Sequence, residues 1–266
     1  MKRKIGFLAT LAMSIVCLVS CGEKEPVPKE PEIFEYAYRN LHVGEPTPIK
    51  GENLDGLEWD SSNNFVAEID ASQRIVPKHV GFAQIFGLGG LLIEVTPKYT
   101  DYDLPVICQT TTYEGIEYET YPPIFGVPPG SVRLFEKRSM DPRSNNSLMV
   151  YKTGNSKSPY VVYSFTDMKL QMSGTLIDTR YLSNLPDFLK ERYNMYSVDL
   201  TKYSAYFYHQ RGPKDDTKTD YIGGLQYSAQ LGGVLMVFMP YQGTKALIPQ
   251  DKMEVFARQL EEILTR

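Results

Sequence analysis

GFAQIFGLGGLLIEV, residues 81–95, predicts two strands joined by a glycine-rich turn. Apolar and polar side chains alternate in Phe82-Ala83-Gln84-Ile85 and again in Ile93-Glu94-Val95, which is the pattern of half-buried strands. The turn Gly87-Leu88-Gly89-Gly90 lies between two strands, whereas a phosphate-binding loop opens a helix, so we expect a hairpin. Short apolar stretches separated by turn residues continue over residues 33–98, and this spacing predicts a small β-sandwich.

Five short motifs follow one another between residues 41 and 98. They are Leu41-His42-Val43-Gly44, Trp59-Asp60-Ser61-Ser62, Val66-Ala67-Glu68-Ile69-Asp70, Gly81-Phe82-Ala83-Gln84-Ile85 and Ile93-Glu94-Val95. In this order they resemble the bacterial immunoglobulin-like domain of the second group, found in intimin- and invasin-type surface proteins. The resemblance implies an immunoglobulin-like sandwich that acts as a spacer. Gln73 stands where that family usually has glycine, in a turn whose positive φ glutamine accepts less readily.

Trp59 is the only tryptophan of the chain. An exposed Trp59 would be a platform on which a sugar ring stacks, whereas a buried Trp59 would be the central aromatic side chain of the sandwich. It opens the strand that leads into the serine turn, and we favour the core position.

The N-terminus has the pattern of an export signal. Lys2, Arg3 and Lys4 precede an apolar run of 15 residues, Ile5 to Val19, which is shorter than the roughly 20 residues of a membrane-spanning helix. The run ends in Leu18-Val19-Ser20-Cys21-Gly22, which resembles the lipobox of bacterial lipoproteins. The resemblance implies that residues 1–20 are removed and that Cys21 is acylated, with palmitate among the fatty acids, so that lipid anchors the protein to a membrane. A plain signal peptide with an incidental cysteine is the alternative.

Residues 21–32 combine charge and proline without apolar periodicity, which predicts a semi-extended tether. Glu23 and Glu25 are similar to the acidic run that surface-exported lipoproteins of some Gram-negative bacteria carry after the cysteine. The similarity implies an outer-membrane location with the protein exposed on the cell surface. Without the three N-terminal cations the chain has 25 basic against 32 acidic residues, a net charge of −7, which disfavours nucleic acid as a partner.

Residues 99–266 differ in composition, because they contain 17 of the 19 tyrosines. Prolines predict extended or loop structure from Tyr99 to Gly130. The pattern then predicts four strands at about 131–137, 148–152, 160–165 and 168–177, and a helix carrying Leu185 and Phe188 behind a cap at Ser183 or Asn184. Three more strands follow at about 203–210, 221–229 and 233–239, and an amphipathic helix carrying Met253 and Phe256 ends the chain. The predicted fold class is an all-β immunoglobulin-like sandwich followed by an α+β domain, an antiparallel sheet with two helices and a possible internal duplication.

The sequence offers little for catalysis. His42, His79 and His209 are far apart, and no zinc, phosphate-loop or nucleophile-elbow motif occurs. Cys108 is the one cysteine left in the folded part once Cys17 is removed with residues 1–20 and Cys21 is acylated, and it is interpreted as a small core residue rather than a reactive thiol. The carboxylates Asp215, Asp216 and Asp220 alternate with lysines and lack calcium-loop spacing, and Glu261 and Glu262 are interpreted as surface charge. We therefore predict no enzyme activity, no cofactor and no metal.

Tyrosine is the enrichment with functional potential. Alternation along 203–209 puts Ala205 and Phe207 on one face of a strand and Tyr206 and Tyr208 on the other. The two tyrosines either form a ligand patch or shield the outer side of the sheet by cross-strand pairing. The sequence as a whole predicts a non-enzymatic, lipid-anchored envelope protein of the adhesion or binding type with a protein or glycan partner. The alternatives are a glycan-binding accessory lipoprotein of a nutrient-uptake system and, less favoured, a hydrolase.

Overall fold

A computed structural model describes residues 29–34, 39–105, 109–113, 116–120, 125–210, 219–241, 243 and 247–265. The chain is rich in β-structure, with several antiparallel sheets and three α-helices. Nine short strands occupy the N-terminal part. They are β1 (Glu32–Ile33), β2 (Leu41–His42), β3 (Thr47–Pro48), β4 (Gly51–Glu52), β5 (Asp60–Ser61), β6 (Ala67–Ile69), β7 (Arg74–Pro77), β8 (Gly81–Gly87) and β9 (Gly89–Thr96). The first strand begins at the last residue of the predicted tether.

Two sheets enclose one apolar core in this part of the chain. The four-stranded sheet has the order β2-β9-β8-β5 and the three-stranded sheet the order β3-β7-β6, while β1 pairs with β4. Ile85 and Ile93 from the first sheet and Ala67 and Ile75 from the second are fully buried in the same cluster. Strands with one buried face that meet face to face are the arrangement the alternating pattern predicts.

The glycine-rich hairpin is confirmed. Gly87 pairs with Gly89 at the end of β8 and β9, leaving Leu88 at the tip. Gly89 has φ +75° and needs the freedom of glycine, while Gly87 is needed for space, since a Cβ there would lie 2.3 Å from the Trp59 ring. Gln73 does adopt the positive φ of 55° expected at its turn, and its side-chain oxygen accepts a hydrogen bond from the Trp59 amide at 3.1 Å.

The segment predicted as extended or loop structure up to Gly130 contains a hairpin, which is extended structure, whereas the strand predicted at 131–137 is a helix. The hairpin is β10 (Gln109–Tyr113) with β11 (Ile116–Thr120), and the helix is α1 (Pro129–Phe135). Pro129 at the start of α1 has a fixed φ that suits the first helical turn, which explains why a helix wins over a strand here. The prediction of two helices was therefore wrong by one.

An eight-stranded antiparallel sheet makes up the C-terminal part, in the order β12-β13-β14-β15-β19-β18-β17-β16. Its strands are β12 (Ser139–Met140), β13 (Leu148–Lys152), β14 (Tyr160–Thr166), β15 (Lys169–Asp178), β16 (Asn194–Asp199), β17 (Ser204–Gln210), β18 (Thr219–Ser228) and β19 (Gly233–Pro240). Short 3₁₀ turns lie at Thr179–Tyr181 and Leu200–Lys202, and the remaining helices are α2 (Leu185–Lys190) and α3 (Gln250–Leu264). Six of these strands and both helices match the predictions, whereas β12 and β16, at the two edges, were missed.

Helices cover both faces of this sheet. Phe256 and Leu260 of α3 pack on one face, against side chains such as Val150, Val162 and Val237. Phe188 and Leu189 of α2 pack on the opposite face over β17 to β19, and Val132 of α1 covers the same face over β13 and β14. Residues 99–104 also run over that second face, where Tyr102 is buried.

The two halves of the sheet repeat one order of elements. Four strands in a meander lead into α2, and four further strands lead into α3. The last strands of the two halves, β15 and β19, pair antiparallel at the centre. A twofold rotation that exchanges β15 and β19 would have its axis perpendicular to the sheet and would therefore place α2 and α3 on the same face. The two helices instead pack on opposite faces. The repetition therefore holds for strand order and not for helix placement.

Candidate functional site

The junction between the N-terminal sheets and the C-terminal sheet centres on Glu191, just after α2. The backbone amide of Lys98 lies 3.1 Å from both carboxylate oxygens of Glu191, and that of Tyr99 lies 3.0 Å from one of them. The Val80 amide donates to the backbone carbonyl of Glu191 at 2.7 Å. One buried residue thus accepts backbone hydrogen bonds from two separate segments of the N-terminal part.

Arg192 holds the Tyr99 backbone from the other side, and Glu191 and Arg192 together form a clamp on this segment. Its guanidinium donates to the Tyr99 carbonyl at 2.8 Å and to the Phe188 carbonyl at 3.0 Å, and it lies 3.8 Å from the centre of the Phe188 ring. Burial lowers the pKa of Arg192, although this side chain stays charged in proteins. Tyr99 is therefore held at its amide by Glu191 and at its carbonyl by Arg192.

A chain of stacked rings crosses the same junction. The His79 ring lies parallel to the Phe65 ring at 4.0 Å, and the edge contact from Phe65 to His209 measures 4.5 Å. His209 in turn stacks on Tyr221 at 4.8 Å. His79 and Phe65 belong to the N-terminal part and His209 and Tyr221 to β17 and β18, so aromatic packing joins the two parts.

Burial lowers the pKa of His79 to about 4, and the nearby His209 and Lys78 add to this shift. The Phe65 carbonyl can only accept, so Nδ1 of the neutral ring carries the hydrogen and donates it across 2.6 Å. In the unfolded chain the pKa of His79 returns to 6.5. Because its folded pKa is depressed, the unfolded chain binds a proton first as the pH falls.

We expect the free energy of unfolding to fall by about 3 kcal/mol, through His79 alone, as the pH is lowered from about 6.5 to about 4. Urea unfolding at steps across this range measures the slope, and His79→Gln should make it shallower. His42→Gln, which changes a histidine outside the junction, should keep the slope of the wild type. Equal slopes for wild type and His79→Gln would contradict the prediction.

The tyrosines of β17 are less exposed than a ligand patch requires. Tyr206 and Tyr208 are half-buried against the core cluster under α3, while Ala205 and Phe207 on the other face are fully buried, as the alternation predicted. The Tyr208 ring contacts Tyr196 of the edge strand β16 at 4.8 Å, which is the cross-strand pairing considered from the sequence. Tyr196 is 54% exposed and is the solvent-facing member of the group.

Tyr196 is not marked in the sequence as a candidate because β16 has no strand signal there. A bulge between Met195 and Ser197 interrupts the alternation of this strand, and three successive exposed residues leave no period-two signal. Together with Tyr208 and the backbone of an open sheet edge, Tyr196 forms the tyrosine edge, the most accessible aromatic surface of β16 and β17. Such an edge can receive a further strand or a flat ring.

The other candidate residues fall into two groups. Trp59 is buried in the N-terminal core, so the core interpretation is confirmed. Glu261 is not plain surface charge, because it accepts a hydrogen bond of 2.6 Å from the buried Ser228 hydroxyl. Several calls lie outside the described residues, namely Cys21, Cys108, Asp215 and Asp216. Asp220 is described only as a backbone position in β18.

The described residues contain neither a metal-binding cluster nor a membrane-spanning helix. No group of three or more His, Cys, Asp or Glu side chains is arranged there to hold a metal ion. Within the same residues, no helix is both long and apolar enough to cross a membrane.

Comparison with known proteins gives no relatives. No family model, no curated protein and no solved structure matches the chain.

Proposed function

We propose that the chain is a non-enzymatic, lipid-anchored protein of the bacterial outer membrane, with acylated Cys21 as its anchor. In this proposal an immunoglobulin-like stalk over residues 33–98 carries an α+β recognition head over residues 99–266. Both assignments of domain type rest on the sequence, and the two-sheet core and the eight-stranded sheet are consistent with them. The head binds a protein or glycan exposed outside the cell.

The observation that carries this proposal is the clamped junction. Glu191 and Arg192 fix Lys98 and Tyr99, the residues that connect the two parts, and the His79 stack joins the two parts at a second place. A stalk fixes the orientation of its head only if the joint between them is stiff, because a flexible joint would let the head turn freely. Buried charge-assisted hydrogen bonds at the connection provide the required stiffness.

The tyrosine edge is the proposed ligand surface. Tyr196 offers an apolar ring with a polar tip, a combination enriched where proteins contact other proteins and sugars. Because Tyr206 and Tyr208 support the core from half-buried positions, the ligand contact is assigned to Tyr196 and to the outer edge of Tyr208.

Protease shaving of intact cells tests the proposal. The wild-type chain should be degraded on whole cells, and Cys21→Ser should leave the membrane fraction, since the thiol is the acylation site. Protection of the wild type until the outer membrane is opened would contradict surface exposure. An unchanged membrane fraction for Cys21→Ser would contradict the lipid anchor.

A glycan-binding accessory role in nutrient uptake is the second candidate, favoured by the same tyrosine edge. A glycan array separates the two, because adhesion to a protein partner predicts no array signal. In the nutrient-uptake case, Tyr196→Ser should abolish the signal while leaving the unfolding midpoint unchanged.

A further inference from the structure

Three large apolar side chains project into solvent within a short stretch at the end of α1 and the start of β12. Leu134 is 71% exposed, Phe135 44% and Met140 44%. Single exposed apolar residues are ordinary, but three within seven positions form a feature that calls for a partner. With the exposed Arg133 and Lys137 they define the α1 patch.

The acidic and the basic side chains of residues 133–143 differ in their exposure to solvent. Its two acids, Glu136 and Asp141, are buried, and both are occupied by hydrogen bonds. Glu136 accepts from Arg138 at 3.0 Å and from the Tyr163 hydroxyl at 2.7 Å. Asp141 is paired with the Arg143 guanidinium, which lowers its pKa to about 2. The solvent side of residues 133–143 therefore displays cations and apolar side chains but no carboxylate.

The two cations of the α1 patch are available to a partner. Arg133 donates to the Asn146 side chain and Lys137 to the Leu134 carbonyl, so both bond to neutral oxygens. In the part of the chain that the structure describes, neither forms an ion pair with a carboxylate. The patch is thus basic, in contrast to the acidic balance of the chain as a whole.

We infer that the α1 patch binds a bilayer surface whose phosphate head groups carry a net negative charge. Cations beside exposed leucine and phenylalanine match a membrane interface, where phosphate attracts the charges and the acyl boundary takes up the apolar side chains. Leu134 stands out from the surface, and a fluid bilayer accepts a protruding side chain without a preformed pocket. The inference goes beyond the proposed function because it requires no acyl chain.

The contact would matter most for a lipid-anchored chain, because a weak attachment to a membrane becomes stable when a second attachment is added. Residues 22–266 serve for the test, since they retain every described contact and lack both Cys21 and the apolar N-terminal run. The probes are vesicles of phosphatidylcholine alone and of phosphatidylcholine mixed with an equal part of phosphatidylglycerol.

We expect the chain to sediment with the anionic vesicles and not with vesicles of phosphatidylcholine alone. The bound fraction should fall steeply as the salt concentration is raised. Arg133→Glu/Lys137→Glu should weaken binding more than tenfold, and Leu134→Ser/Phe135→Ser about tenfold. Lys252→Glu/Val255→Ser is the matched control, because it changes an exposed cation and an exposed apolar residue of α3, far along the chain from the patch. It should bind like the wild type.

Absence of binding to anionic vesicles, or equal loss in the α1 and α3 variants, would overturn the inference. In the first case an acidic protein surface would be the better partner for the patch. Because the tested chain lacks Cys21, a failure of this chain to bind vesicles would not bear on the proposed lipid anchor, which the shaving test addresses.

Discussion

Glu191→Ala is expected to lower the free energy of unfolding by about 3 kcal/mol, because it removes a buried carboxylate on which the junction depends. The substitution leaves the buried amides of Lys98 and Tyr99 without their acceptor and leaves Arg192 without its neighbouring negative charge. Urea or thermal unfolding measures the loss. Trypsin reports the junction itself, since cleavage after Lys98 should accelerate once the carboxylate no longer holds the backbone.

Two control variants separate this effect from a general loss of charge. Glu191→Gln keeps one acceptor oxygen at nearly the same place and should fall between wild type and alanine. Glu45→Ala removes the other carboxylate that contacts Lys98, but on the exposed surface, and should leave the unfolding transition unchanged. If Glu191→Ala unfolds like the wild type and trypsin cleaves it no faster after Lys98, the Glu191 carboxylate does not hold the junction.

Gly223→Ala is expected to destabilise the chain by about 3 kcal/mol or more, as overpacking of a closed core does. A Cβ at this position of β18 would lie 1.9 Å from the Phe207 ring, which is fully buried and packed against the Tyr193 and Phe238 rings. Thermal unfolding of the purified variant, or its loss from the soluble fraction on expression, measures the effect.

The neighbouring glycine provides the matched control. At Gly224 the one close neighbour of a Cβ would be the sulfur of the flexible Met253 side chain, at 2.9 Å, because the Ala205 carbonyl oxygen at 3.4 Å and the Tyr206 ring at 3.5 Å are near ordinary contact distance. Gly224→Ala should therefore change stability by no more than about 1 kcal/mol. Adding Phe207→Leu to Gly223→Ala should recover part of the lost stability, because the smaller side chain vacates the contested space. Similar losses for Gly223→Ala and Gly224→Ala would contradict this account.

The strands of the C-terminal sheet were predictable where burial gave them a signal. Strands such as β14 and β19 are almost entirely buried and appear in the sequence as apolar runs of strand length. The edge strands gave none, because β12 has only two residues and β16 is bulged and largely exposed. The helix α1 gave no signal because it buries only Pro129 and Val132, and two buried positions do not establish helical periodicity.

The junction could not be predicted at all. Phe65, His79, Glu191 and His209 are separated by up to 144 positions, and no local pattern indicates that they meet. In the sequence, His79 and His209 have no neighbouring Cys or His, so nothing there marks them as functional residues. Their role is set by burial between two packed units, a tertiary property, and the same holds for the inward turn of Glu136 and Asp141 beneath the α1 patch.

The pairing of β15 with β19 sets the order in which the chain can be completed. Asp178 pairs with Gly233, so the central ladder closes only after the 54 residues between them are in place. Until then the ten residues of β15 present an open edge able to recruit the same strand of another chain. We therefore expect this sheet to fold slowly and to need chaperones while it does so, because a chain stopped before β19 would aggregate through that edge.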